Sequence, residues 1–205
     1  RLQCAYGTSG GVWLYHGARR NRLSYFMPYP QRAGAAIKAH YEDGARGSMI
    51  YQGPMLNPAV EVNTAVAGRL LQTPQRDVKE ALEEVIDLYY HPSSAEVRRG
   101  VAEVFCMAED AFFDSWSEEL KKDPLRPGEF YLERLFAEAP QRTLYLEQCL
   151  TPQGRDAYRK GLITVLERLS PLIGTCQDEG RLRRISTGII STIVDIENLG
   201  YEPLP

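Results

Sequence analysis

An apolar residue recurs at every third or fourth position from Val97 to Trp116, and this spacing predicts about six turns of amphipathic helix. The stripe consists of Val97, Val101, Val104, Phe105, Ala108, Phe112 and Trp116. A helix with one apolar face is stable in a globular protein only when that face is buried against other elements. The C-terminal part of the chain is therefore predicted to be an assembly of packed helices.

Local signals mark the ends of the neighbouring helices. Asp77 begins a capping box at the start of a predicted helix that runs to Tyr90, and Ser93 begins a second capping box in front of the long stripe. The pair His91-Pro92 ends the first of these helices, because proline cannot continue a helix. Both helices are thus predicted with defined ends.

Two later stripes predict helices over residues 152–173 and 179–198. From Asp77 onward no segment has the pattern of a strand. Because short connections between helices favour antiparallel neighbours, residues 75–205 are predicted to form an α-helical bundle domain.

The first 74 residues have a different pattern. Residues 12–15 and 48–51 are short apolar runs of strand length, and the helical spacing between them covers residues 31–43 and ends at Gly44. A further helix opens at the pair Asn57-Pro58. Strand, helix and strand in this order imply a parallel crossover connection, so this part is predicted to be α/β.

A sheet of two parallel strands has two unpaired edges and cannot bury both of its faces. The simplest completion makes residues 1–74 the last two β/α units of a (β/α)₈ barrel of the TIM type, with a domain boundary near Pro74. On this interpretation the chain, which starts at Arg1, is a fragment of a longer protein. The alternative is a complete chain whose short α/β segment packs on a partner or on itself.

Several segments carry a resemblance to a known group of proteins. They are GVWLYHG at residues 11–17, KAHYEDGARGSMIYQGPML at residues 38–56, Asn63 with GRLL at residues 68–71, and Asp77, Ala81, Leu82, Tyr89, Tyr90, Pro92 and Ala95. This pattern resembles the C-terminal part of bacterial glycoside-hydrolase-like proteins with a barrel of the α-glucuronidase or hexosaminidase type. It is most similar to an uncharacterised family described only as a domain of unknown function.

The resemblance implies a carbohydrate-active enzyme whose catalytic carboxylates lie upstream of Arg1, so the catalytic residues are unknown and the segment alone is expected to be inactive. What this chain would supply is a substrate-binding surface where the two strands end: Tyr15, His16, Arg19, Arg20, Tyr51 and Gln52. Tyrosine, histidine and glutamine suit sugar hydroxyls, and arginine suits a uronate or a sulfated sugar. The alternatives are a histidine bonded to a loop carbonyl and arginines in a solvated loop.

Glu61 also has two interpretations, a catalytic carboxylate or a favourable charge in the first turn of a helix. The formal net charge of −3 gives no basic field for a phosphate backbone, so nucleic acid binding is not expected. The four cysteines lack metal-site spacing and are predicted to be free, mostly buried thiols, with disulfides as the alternative because connectivity cannot be deduced from spacing. Neither a metal nor another cofactor is indicated.

Two function classes stay open. The first is the C-terminal part of a glycoside hydrolase that acts on oligo- or polysaccharide, and the second is a noncatalytic helical interaction or scaffold module. A homo-oligomer is compatible with either class. The chain has no run of about 18 apolar residues that would span a membrane. The compartment, whether extracellular, periplasmic or cytoplasmic, is left open, because a signal peptide would lie upstream.

Overall fold

The computed structural model describes residue 26, residues 28–42, residue 44 and the ranges 58–115 and 151–197. Six α-helices lie in these ranges. They are α1 (Pro30–Glu42), α2 (Pro58–Gln72), α3 (Val78–Tyr90), α4 (Ala95–Asp114), α5 (Pro152–Leu169) and α6 (Glu179–Glu197). A single turn of 3₁₀-helix, Ser170–Leu172, follows α5.

The described part of the chain is all α-helical and contains no strand, so the prediction of two β/α units from a TIM-type barrel is wrong. The physical reason lies in what α1 and α2 bury. Their apolar residues, among them Ala33 and Val66, belong to the same core cluster as Val85 of α3 and Phe105 of α4. These two helices therefore pack on other helices, whereas the helices of a barrel pack on its sheet. The two runs predicted as strands, residues 12–15 and 48–51, lie outside the described residues.

Aromatic rings connect the helices through this core. Phe105 of α4 makes edge contacts with Phe26, at 5.2 Å between ring centroids, and with Tyr90 of α3, at 6.2 Å. One end of α4 reaches α5, where the rings of Phe112 and Tyr158 lie 5.3 Å apart. Helices from both sides of residue 74 thus share one core cluster, while the division into residues 1–74 and 75–205 stays a prediction.

The helix ends follow the predicted capping chemistry closely. Asp77 caps α3 by accepting hydrogen bonds from the N–H groups of Lys79 and Glu80. His91 ends α3 in a left-handed conformation with φ of 47°, which agrees with the predicted stop. The cap of α4 is Ser94 and not Ser93, because the Ser94 hydroxyl is the one that accepts from the N–H of the third helical residue.

The connections α3–α4 and α5–α6 meet at one end of the bundle. Pro92 and Cys176 form an antiparallel backbone bridge. Beside it the N–H of Ser93 donates to the carbonyl of Thr175 at 3.0 Å, and the N–H of Gln177 donates to the carbonyl of His91 at 3.1 Å. These bonds satisfy backbone groups at helix ends that would otherwise lack partners.

Helices α4 and α5 approach each other closely because α5 has glycine at the contact. A Cβ atom on Gly161 would lie 2.7 Å from the Cβ of Ala111, and one on Gly154 would lie 2.3 Å from the backbone oxygen of Ser115. Both distances are far below an ordinary van der Waals contact. Gly68 in α2 differs, since a Cβ atom there would meet nothing within 4 Å.

Replacing glycine with alanine should therefore have opposite effects on stability at Gly68 and at Gly161. Gly68→Ala should raise the free energy of unfolding by about 0.5–1 kcal/mol, because alanine is the better helix former and the site is open. Gly161→Ala should lower it by about 1–3 kcal/mol, because the methyl group separates α4 from α5. Urea denaturation of the two variants beside the parent chain measures both effects. Equal stability of the two variants would contradict the close contact.

Candidate functional site

The six residues predicted to bind a sugar, Tyr15, His16, Arg19, Arg20, Tyr51 and Gln52, lie outside the described residues. Their assignment stays a prediction. The described helices carry two ionic clusters and one exposed apolar surface.

Glu109 of α4 is a carboxylate whose side chain is 0% exposed. It accepts hydrogen bonds from the N–H groups of Gln31 and Arg32, each at 2.8 Å, and from the guanidinium Nη1 of Arg32 at 3.1 Å. Both amides belong to the first turn of α1, so Glu109 caps that helix from a distant segment. Burial raises the pKa of Glu109, against the effect of these three donors.

The surroundings of Glu109 also serve to hold the start of α1. The Arg32 guanidinium lies over the Phe113 ring, 3.6 Å from its centroid. From α2, the fully buried Asn63 accepts the N–H of Tyr29 at 3.0 Å. Burial raises the pKa of the Tyr29 hydroxyl well above its ordinary value, with the Asn63 side chain opposing the shift. This cluster is a structural joint between α1, α2 and α4.

The burial of Glu109 could have been predicted from its position in the apolar stripe of α4. It lies four residues after Phe105 and three before Phe112, both members of the predicted apolar stripe. A carboxylate at such a position points into the core, where it needs donors around it. The sequence could not say which donors, because those come from another helix.

A second ionic cluster centres on Arg181 of α6. Its guanidinium binds Glu61 of α2 at 2.9 Å and Asp178 at 2.8 Å, and it lies 5.1 Å from the ring centroid of Tyr89 in α3. Glu61, for which the sequence left open catalysis or a helix-end charge, thus takes part in an ion pair between helices. This arrangement joins α2, α3 and α6.

The thiols in the described ranges are free. Burial raises the pKa of Cys106 to about 11 and also raises that of Cys176, so their reactive thiolate forms are disfavoured at neutral pH. Among the described residues no three histidine, cysteine or acidic side chains are grouped as a metal ion would require. No described helix combines the length and the apolar character needed to cross a bilayer.

The remaining feature is an exposed apolar surface. Five large apolar side chains of the described ranges are substantially exposed: Leu71, Leu88, Ile163, Ile190 and Val194. Ile163 is on α5, and Ile190 and Val194, at 51% and 46% exposure, are on α6. Three of the five therefore lie on one pair of neighbouring helices.

Within α6 the exposed positions follow a regular spacing. Arg183, Thr187, Ile190, Val194 and Glu197 are all exposed and are separated by alternating steps of four and three residues. We call these five residues the outer stripe of α6. The edge of α5 that carries Ile163 adjoins it, because Arg159, one turn before Ile163, lies 3.7 Å from Glu197. The outer stripe and Ile163 form the candidate binding surface.

No family model, no curated protein and no solved structure matches the chain. The resemblance to glycoside-hydrolase-like proteins therefore stays a prediction.

Proposed function

We propose that the chain is a noncatalytic helical interaction module that binds another protein surface through the outer stripe of α6 and Ile163. The observation that carries this proposal is the half-exposed pair Ile190 and Val194 in the middle of the stripe, where no side chain is charged. Exposed apolar area costs about 25 cal/mol per Å² relative to burial, so covering this face with a partner is favourable.

The uncharged middle of α6 distinguishes this helix from the neighbouring α5. Residues 185–194 contain no charged side chain. The exposed face of α5, by comparison, includes Asp156, Lys160 and Glu167. The centres of protein interfaces are depleted of charged residues in this way, whereas a face that only meets solvent usually carries them.

The two ionic clusters, around Glu109 and around Arg181, supply further support for a binding role. Glu109 holds the first turn of α1, and Glu61 and Asp178 hold Arg181. A catalytic carboxylate has to be free to exchange a proton with a substrate, or to attack it. Glu109 and Glu61 are instead engaged in contacts that fix one helix relative to another. Asp178 pairs with Arg181 at the start of α6.

Site-specific photocrosslinking tests the proposal. A benzoylphenylalanine residue replaces Ile190 in one chain and Leu88 in a control chain, since these side chains are 51% and 52% exposed on different helices. Each chain is produced in cells that naturally contain the protein and is then irradiated. We expect one defined protein to be crosslinked several-fold more at position 190 than at position 88. Equal labelling at both positions would overturn the proposal.

A glycosidase panel on the full-length protein addresses the competing class. The interaction-module proposal expects no turnover that depends on residues of this chain. Hydrolysis of any glycoside that is weakened by Tyr51→Ala or Gln52→Ala would overturn the noncatalytic role and favour a carbohydrate substrate.

A further inference from the structure

We infer that the partner on the outer stripe is a second copy of this chain, packed antiparallel so that the two α6 helices meet at Ile190. The inference rests on the proposed function and names its partner. It is supported by the symmetric placement of opposite charges at the two ends of the stripe.

The two charged ends of the stripe are placed symmetrically about its centre. Arg183 lies seven residues before Ile190, and Glu197 lies seven residues after it. When two α6 helices run antiparallel across a two-fold axis at Ile190, Arg183 of each copy lies opposite Glu197 of the other. The same axis places Thr187, three residues before Ile190, within one residue of Val194, four residues after it. The surface is therefore complementary to itself in charge and in apolar character.

The parallel arrangement is disfavoured by the same residues. It would bring the two Arg183 side chains together at one end and the two Glu197 side chains together at the other. Like charges placed in register disfavour the pairing, whereas opposite charges at the edge of a helical seam select a partner and its direction. The charges of α6 thus specify one orientation of the second copy.

The spacing of the stripe suits helix pairing. Alternating steps of four and three residues give an average of 3.5 residues per turn, the repeat that keeps two helices in contact at a crossing angle near 20°. Thr187, Ile190 and Val194 are β-branched and hold few rotamers in a helix, so little side-chain entropy is lost on contact. Ile163 on the adjoining edge of α5 widens the apolar seam.

The contacts that these ends make within one chain do not prevent the pairing. Arg183 bonds Glu179 one turn away, and Glu197 is 3.7 Å from Arg159. All four side chains are largely or partly exposed, so both ion pairs are weak and can rearrange. Contacts of this size belong with the small interfaces, below roughly 1,200 Å² in total, which are weak, so we expect a dissociation constant between about 1 μM and 1 mM.

Sedimentation equilibrium of the full chain, from about 1 μM to 1 mM, tests the inference. We expect a monomer–dimer equilibrium whose dissociation constant rises at least tenfold in Ile190→Arg. Leu88→Arg is the matched control, because Leu88 has the same exposure on α3, and it should leave the equilibrium unchanged. Circular dichroism confirms that each variant keeps its helical content.

Charge exchange tests the antiparallel register directly. Arg183→Glu gives a stripe with two acidic ends, and Glu197→Arg gives one with two basic ends, so each variant alone should dimerise less than the parent. A mixture of the two should form heterodimers, and the double variant should regain the parent affinity. Failure of both the mixture and the double variant to restore association would overturn the antiparallel pairing.

The two proposals fail separately. A chain that stays monomeric up to 1 mM, or a dimer that is indifferent to Ile190→Arg, would overturn the self-association. If position 190 then crosslinks selectively to a different protein, the interaction module stands with another partner. If position 190 crosslinks to nothing selectively, the module fails as well.

Discussion

Replacing Glu109 with alanine is expected to lower the free energy of unfolding by about 3–5 kcal/mol, a large part of the stability of a typical domain. The substitution removes the acceptor of two first-turn amides of α1 and of the Arg32 guanidinium. The two partly buried amides lose their acceptor, and the Arg32 guanidinium, whose side chain is 32% exposed, loses its ion pair. Urea denaturation followed by circular dichroism measures the change.

The neighbouring residue supplies the control. Asp110 accepts a hydrogen bond from the Gln31 side chain at 3.0 Å in an exposed setting, so Asp110→Ala should cost less than about 1 kcal/mol. Both positions lie on α4 and contact the start of α1. If Glu109→Ala cost no more than Asp110→Ala, the capping of α1 from α4 would not be a stabilising contact.

The pKa of Glu109 gives this prediction a pH dependence. Burial raises the folded-state pKa above the ordinary value of 4.5, so between these two values the folded chain binds more protons than the unfolded chain. The contribution of Glu109 to stability therefore falls as pH rises through this window. Glu109→Gln has no such group. The stability of the parent relative to this variant should consequently decrease as pH rises above about 4.5 and then level off.

Phe105→Ala is the second change for which we expect a large effect, a loss of about 3–5 kcal/mol in the free energy of unfolding. The Phe105 side chain is fully buried and packs edge-on against Phe26 and Tyr90, so its removal leaves a cavity between α4, α3 and the segment before α1. The substitution removes both the buried apolar surface of the ring and its edge contacts with the two neighbouring rings. Thermal unfolding and urea denaturation both report the loss.

Tyr90→Phe is a matched comparison at the same contact. It keeps the ring and removes only a buried hydroxyl for which no hydrogen-bond partner is present in the described ranges. The variant should be as stable as the parent or slightly more stable, because the hydroxyl is buried without compensation. A loss as large as that of Phe105→Ala would show that the hydroxyl, and not ring packing, stabilises this part of the core.

The helices that depend on local patterns were predictable. The start of α3 at Asp77 and its end at His91 follow from side-chain capping and from proline, both of which act within a few residues. The observed cap of α4, Ser94, lies one residue after the predicted cap, Ser93, because two adjacent serines can each supply a capping hydroxyl. The stripe in α4 was identified correctly up to Asp114, and its last member, Trp116, lies outside the described residues.

The predicted α/β fold class was wrong because it depended on two very short apolar runs. Two apolar runs of four residues were interpreted as strands, and such short runs do not distinguish a strand from other buried segments. The crossover connection and the barrel both followed from that interpretation. Helices α1 and α2 themselves were predicted, but their spacing fits a helical bundle as well as the outer layer of a barrel.

The contacts between helices could not be predicted from local sequence patterns, because the partners are far apart in the sequence. Arg32 and Glu109 are 77 residues apart, and Arg181 and Glu61 are 120 residues apart. Nothing in the residues next to Glu61 indicates that its partner is an arginine of α6. The outer stripe was also missed, although Ile190 and Val194 lie off the apolar stripe that predicted this helix, so the helical spacing alone could have placed them on its exposed face.

The backbone pairing of Pro92 with Cys176 affects the order in which this chain can fold. Each hairpin, α3 with α4 and α5 with α6, can form from contacts that are near in sequence, and such contacts form early. The pairing joins the two connections of these hairpins, so it requires closure of a long loop and gains its bonds only once both hairpins exist. We therefore expect it to form late, when the two hairpins dock on each other. Before it forms, the turns at His91 and Thr175 expose backbone groups that the native chain satisfies only across the two halves.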